Sequence, residues 1–153
     1  MTMKKIFYDN GLAKLILFEG YTVITLFCFV FCRLPEYMVK QFVVNHECVH
    51  ARQWSEITVA SGLLVWVAVL LGLSPWWLLP CTLVFYLLYG LEFLVRFLIA
   101  MFSDCHGDTV WHTAYLSISF EQEARMAEHD NNYLENSPYF AWVKFIKRKT
   151  IQE

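Results

Sequence analysis

The sequence carries little charge. Asp, Glu, Lys and Arg make up 17 % of its 153 residues, and the formal net charge is only -2. No long basic or acidic stripe runs through it, so a nucleic-acid backbone finds no complementary surface, and no nucleic-acid partner is expected. CxxC pairs are absent as well. The five cysteines, Cys28, Cys32, Cys48, Cys81 and Cys105, form an odd set, and two of them lie in strongly apolar runs where cysteine behaves as a small hydrophobe. A disulfide framework and a thiolate zinc site are therefore not expected. The N-terminal stretch opens with Lys4 and Lys5 but lacks the clean apolar core of a secretory signal, because Asp9, Lys14 and Glu19 interrupt it. There is no internal repeat and no low-complexity linker. The chain from 1 to 153 has the length of a single domain, so a site has to be assembled from distant parts of one unit.

What the sequence has instead is apolar surface. It is 58 % hydrophobic and 18 % aromatic, with a mean hydropathy of +0.41, against roughly 45–50 % apolar residues in ordinary soluble domains. This predicts a membrane protein with the lipid bilayer as a partner. Two apolar segments, 57–73 and 81–101, flank "SPWWLLP", Ser74 to Pro80, and predict a hairpin of membrane helices. A span needs about 20 residues; the first segment is short for that, but it continues from the helix expected before it. Trp76 and Trp77 are expected at the interface. Glu92 and Arg96, four apart, are expected to pair as an anchor facing the bundle. Lys4, Lys5, Lys14, Arg33, Lys40 and Arg52 precede the hairpin and "KFIKRK" follows it, whereas the turn has no basic residue. That distribution places both flanks on the cytoplasmic side. The run 22–31, "TVITLFCFVF", reads as a strand or as a third span. A span would separate the basic N-terminus from the segment that follows, so a strand or hairpin is preferred.

That following segment is "VVNHECVHARQWSE", Val43 to Glu56, which sets His46, Glu47 and His50 in the spacing HExxH. On an α-helix, residues four apart lie one turn above each other, so two imidazoles can aim at one ion. Glu47 is offset by about 100° and can act as general base on a water beside that ion. Two imidazoles and a carboxylate with one open position suit Zn2+ best. The third ligand has to come from Glu56, Asp104, His106, Asp108, His112, Glu121, Glu123 or Glu128. Glu56 is about 15 Å along the helix from His46, too far to share an ion. The polar loop read from Ser103 to Ser117 would place ligands less well than a helix does. A helix is expected over 119–135, opened by a capping box of Ser119 and Gln122. On it Glu121, Ala124, Arg125 and Glu128 share one face while Glu123 points away. Glu121 is the preferred third ligand and Glu123 the alternative. His112 and Tyr115 are the candidate donors to an oxyanion. An amphipathic piece, 139–149, sets Phe140, Val143 and Ile146 against basic residues and suits a membrane surface.

HExxH, an apolar hairpin and then Phe120-Glu121-Gln122-Glu123-Ala124 resemble the gluzincin membrane metallopeptidases of the HtpX and prenyl-protein endopeptidase group and their antibiotic-sensor relatives. The resemblance runs from Thr22 to about Glu128. It implies His46, His50 and Glu121 as zinc ligands, the last as the glutamate of an ExxAD motif, and Glu47 as general base. It also implies that 22–31 is an edge strand that binds an extended substrate. Arg125 stands where that motif has aspartate, so Glu128 or Gln53 is expected to hold a ligand imidazole instead. The chain is also similar to short bacterial membrane proteins with HExxHxxQ and SFExEA, matched by His46 to Gln53 and Ser119 to Ala124, a likeness that brings no activity with it. The fold expected is mainly α and membrane-embedded: a helical bundle with a transmembrane hairpin and a small β-strand or hairpin before the HExxH helix. The function expected is zinc-dependent cleavage of a peptide or membrane-protein substrate at the cytoplasmic face of a bacterial inner membrane. The alternative is an inactive metal-binding relative that acts as sensor or interaction partner.

Overall fold

A computed structural model describes residues 5–17, 20–102 and 108–147. The chain is mainly helical with one small open sheet. It divides into two compact units, Met1–Ser55 with Ala124–Tyr139 and Glu56–Glu123 with Phe140–Glu153. Two helices, Gln41–Leu70 (α2) and Ser119–Ala127 (α5), each contribute to both.

The first unit holds strand Lys5–Phe7 (β1), helix Gly11–Ile16 (α1), strands Val23–Leu26 (β2) and Phe29–Cys32 (β3), the N-terminal half of α2, the end of α5 and the short helix Tyr133–Asn136 (α6). The sheet order is β1-β3-β2, with β1 parallel and β2 antiparallel to β3. The run 22–31 is thus a hairpin, and only its first half lies at a sheet edge. Phe27 makes the tight turn in the left-handed region at φ 58°, and its ring packs edge-on against Trp54 at 5.5 Å. Strand alternation sorts the side chains. Val23, Val30 and Cys32 are buried with Val44 and Cys48 of α2, while Phe29 and Phe31 pack with Phe7. A third span at 22–31 would have needed a helix of about 20 residues; the β-branched and aromatic residues pair as strands instead.

In the second unit α2 continues as one unbroken helix to Leu70, three residues short of the expected Leu73. Gly72, at φ +107°, supplies the left-handed residue that ends it, with the Leu73 N–H bonded back to Ala68 O at 3.0 Å. "SPWWLLP" is not a simple turn. A 3-10 helix covers Pro75–Leu83, and regular α geometry begins in helix Val84–Met101 (α3), after the missing N–H of Pro80 has been passed. Gln41–Leu70 and Pro75–Met101 are each long and apolar enough to cross a membrane. The segment read as a loop contains helix Asp108–Leu116 (α4), whose Trp111 packs on Phe93 and Phe97 at 5.5 and 4.7 Å.

The helix expected over 119–135 is shorter than its sequence suggested. α5 stops at Ala127, and the polar run His129 to Asn132 turns the chain, with the Asn132 N–H bonded to Asp130 Oδ1 at 2.9 Å. The capping box does not form either. Glu92 of α3 caps the helix from outside, accepting the Ser119 N–H at 2.9 Å and its hydroxyl at 2.6 Å, while Gln122 Nε2 donates to Ser117 O at 3.0 Å. A carboxylate at a helix N-terminus is favoured by the exposed N–H groups there. Arg96 pairs with Glu92 at 3.2 Å as expected and also donates to Ile146 O at 2.7 Å. The C-terminal piece is a 3-10 helix, Ala141–Phe145, with Ala141 and Phe145 buried and Phe140, Val143 and Ile146 exposed. Lys4, Arg148 and Lys149 lie outside the described residues.

Burial, the Glu47 carboxylate and Cys48 push the Cys32 thiol up from 9.0 to about 11. Folding then favours the protonated thiol, so its stabilising contribution is full below pH 9 and is lost as the pH rises towards 11. The melting temperature of the parent should fall more between pH 9 and 11 than that of Cys32→Ala; equal falls would contradict this burial.

Candidate metal centre

α2 carries His46, Glu47 and His50 two turns from its start. The rings of His46 and His50 lie 4.8 Å apart at 76°, and their Nε2 atoms face each other at 3.1 Å. Their other nitrogens are both held. His46 Nδ1 donates to Glu128 Oε1 at 3.0 Å, and His50 Nδ1 donates to Gln53 Oε1 at 2.9 Å. An amide or carboxylate oxygen accepts, so each ring places a proton on Nδ1 and turns Nε2 inward. At that separation a proton or a metal cation between the two Nε2 atoms satisfies both. The arrangement suits two metal ligands, each with an outer partner that orients the ring.

The outer partners are built in from α2 and α5. Gln53 is fully buried, one turn beyond His50. Glu128 follows α5 directly, and its carbonyl accepts from Asn45 Nδ2 at 2.9 Å. Asn45 Nδ2 also donates to Asn131 Oδ1 at 2.8 Å, and Gln41 Nε2 orients it through Oδ1 at 2.9 Å. Ala124 and Ala127 pack on Val49, and such small side chains let two helices approach closely. Glu121 stands three residues before Ala124 on one face of α5, and Glu128 comes just past the end of the helix. The alanine of the ExxA pattern is thus the contact that lets α5 present one glutamate on each side.

Glu121 is only 2 % exposed and accepts a hydrogen bond from the Tyr89 hydroxyl of α3 at 2.7 Å. Ligand atoms of His46, His50 and Glu121 all lie within 4.8 Å of one another, a group that could hold a metal ion. Glu123, buried as well, is not in that group. Two imidazole nitrogens and a carboxylate oxygen are a donor set suited to a divalent transition ion. The residues fit such an ion by chemistry and by the inward aim of both Nε2 atoms.

Glu47 turns towards β2. Its Oε2 accepts the Thr25 hydroxyl at 2.6 Å, and the same hydroxyl lies 3.1 Å from Glu47 O. His112 and Tyr115, expected in a loop, sit on α4 with both side chains exposed. Glu56 serves the backbone: its Oε2 accepts the N–H of Phe140, which has a left-handed φ of 57°. Asp104 and His106 lie outside the described residues. Tyr89 and Thr25 are polar groups that the sequence did not single out. One sits in an apolar helical run and the other in a β-branched run, both half-buried, and neither stands at a spacing that announces a partner.

Comparison with family models, with curated proteins and with solved structures gives no match.

Glu121→Ala should abolish stoichiometric zinc uptake by the detergent-purified chain. Glu128→Ala should weaken it by about 10–100-fold, the usual cost of losing an outer partner. Glu123→Gln should leave it unchanged. Chelator competition reads all three, and loss with Glu123→Gln but not with Glu121→Ala would reverse the assignment.

Proposed function

We propose that this chain is a zinc-dependent membrane endopeptidase, with His46, His50 and Glu121 as ligands and Glu47 as general base. The observation that carries the reading is the pair of facing Nε2 atoms, each ring oriented from behind, beside a buried carboxylate. A bound zinc ion would supply Lewis acidity and lower the pKa of a water towards about 7. Glu47, next in the chain to a ligand, is the group that takes a proton and later returns it to the leaving amine. Thr25 holds that carboxylate by one oxygen and leaves the other for the proton. His112 and Tyr115 are the proposed donors to the developing oxyanion.

β2 offers a place for the substrate. Leu26 and Phe29 close a two-residue turn, and Arg33 N bonds Thr22 O at 2.8 Å, so the backbone groups of residues 22, 24 and 26 face β3. Those of Val23 and Thr25 face the opposite side, where no strand pairs among the described residues. An extended peptide added there would form main-chain hydrogen bonds next to the residue that holds Glu47.

Membrane insertion is part of the proposal. Large apolar side chains such as Leu64, Leu70 and Leu87 are exposed along both long stretches, which suits lipid better than water. His50 precedes the end of α2 at Leu70 by 20 residues, about 30 Å at 1.5 Å per residue. That equals the thickness of a hydrocarbon core of about 30 Å. With the hairpin tip at one boundary, the ligands stand at the other. The basic residues Arg33, Lys40, Arg52, Lys144 and Lys147 make that boundary the cytoplasmic face of a bacterial inner membrane, and a membrane protein or a peptide beside the bilayer the substrate.

The test is Glu47→Gln in the purified chain. Zinc content should stay at the parent level while cleavage of a membrane-protein or peptide library falls at least about 100-fold, within the range for a lost acid–base group. Zinc retained by a parent that cleaves nothing would leave the chain a metal-binding sensor or partner instead.

A further inference from the structure

Among the described residues, one polar group within the apolar α3 aims at the candidate metal centre. Tyr89 lies five residues into that helix, in the stretch Pro75–Met101 that is long and apolar enough to cross a membrane. Polar groups in such a stretch are costly and are retained for a specific partner. The partner here is Glu121: the phenol donates to its Oε1 at 2.7 Å, the short distance expected of an O–H bonded to a carboxylate.

We propose that Tyr89 is a positioning residue for the metal ligand Glu121, fixing which carboxylate oxygen is presented to the ion. The proposal rests on the metal-binding reading given above. The phenol is held in place by its neighbours. Its ring stacks on Phe120 at 6.0 Å with an interplanar angle of 17° and meets Phe85 at 6.0 Å. Phe120 is itself 1 % exposed and clasped by Trp142 at 4.5 Å, and it directly precedes Glu121 in the chain. One aromatic stack therefore sets both the ligand's backbone and the donor that orients its head. A carboxylate buried to this degree needs hydrogen-bond donors, since little water reaches it. The bond to Oε1 fixes the rotation of the Glu121 head. Ordering the head before the ion arrives removes the rotamer freedom that binding would otherwise have to freeze.

The experiment uses the full chain in detergent with three readouts: zinc affinity by chelator competition, the visible spectrum of the Co2+-substituted protein, and the melting temperature of the metal-free protein. Tyr89→Phe keeps the ring and its stacking and removes only the hydroxyl. It should weaken zinc binding by about 10–100-fold and shift the Co2+ spectrum, with the metal-free melting temperature within a few degrees of the parent. Tyr139→Phe, at a position 79 % exposed, should change none of the three. Parent-like affinity and spectrum in Tyr89→Phe would overturn the proposal. So would weakened binding with an unshifted spectrum and a large fall in metal-free stability, because Tyr89 would then be structural. A parent that takes up neither ion would overturn the metal reading and this proposal together, and it is distinguished from the other results by the parent alone.

Discussion

Two imidazole nitrogens facing each other at 3.1 Å are the constraint on which the candidate site depends. Such a contact needs a proton or a metal cation between the two nitrogens. The rings are held in that geometry because each has its Nδ1 tied to an oxygen, one from Glu128 and one from Gln53. Buried polar networks of this type are stabilising only when every member is satisfied.

α5 is the element through which that constraint reaches the rest of the chain. Near its start, Ser119 is held through both its N–H and its hydroxyl by Glu92. Just past its end, the carbonyl of Glu128 is held by Asn45, the residue before His46. Between them Ala124 and Ala127 pack on Val49. A nine-residue helix is too short to be stable by propensity alone, so these contacts decide where its two functional glutamates stand. The oxygen that holds the His46 ring comes from Glu128, just past the end of that helix.

Much of this was legible in the sequence, for physical reasons particular to each part. HExxH on a helix dictates convergence of His46 and His50 because helical spacing is rigid, and the face shared by Glu121 and Ala124 follows from the same period. The apolar stretches and the Glu92 and Arg96 pair were visible for similar reasons. The contacts between elements were not. Ser119 and Gln122 match a capping box, yet a carboxylate distant in sequence displaces it; Tyr89 is indistinguishable from its aromatic neighbours until Glu121 is seen beside it. The end of α5 was misjudged because Glu128, His129 and the residues after them are compatible with helix locally, and only the bonds of the Asp130 to Asn132 turn show where it stops. The polar residues between Ser103 and Ser117 read as a loop, whereas Trp111 packs on Phe93 and Phe97 from a helix that also carries His112 and Tyr115.

The central claim is that His46, His50 and Glu121 hold a zinc ion, and X-ray absorption at the zinc edge of the purified, zinc-loaded chain tests it most directly. The account predicts a four-coordinate shell of light atoms at about 2.0–2.2 Å, with the outer-shell scattering of two imidazoles and its amplitude halved in His50→Ala. A sulfur shell at about 2.3 Å, or a spectrum without imidazole scattering, would contradict it.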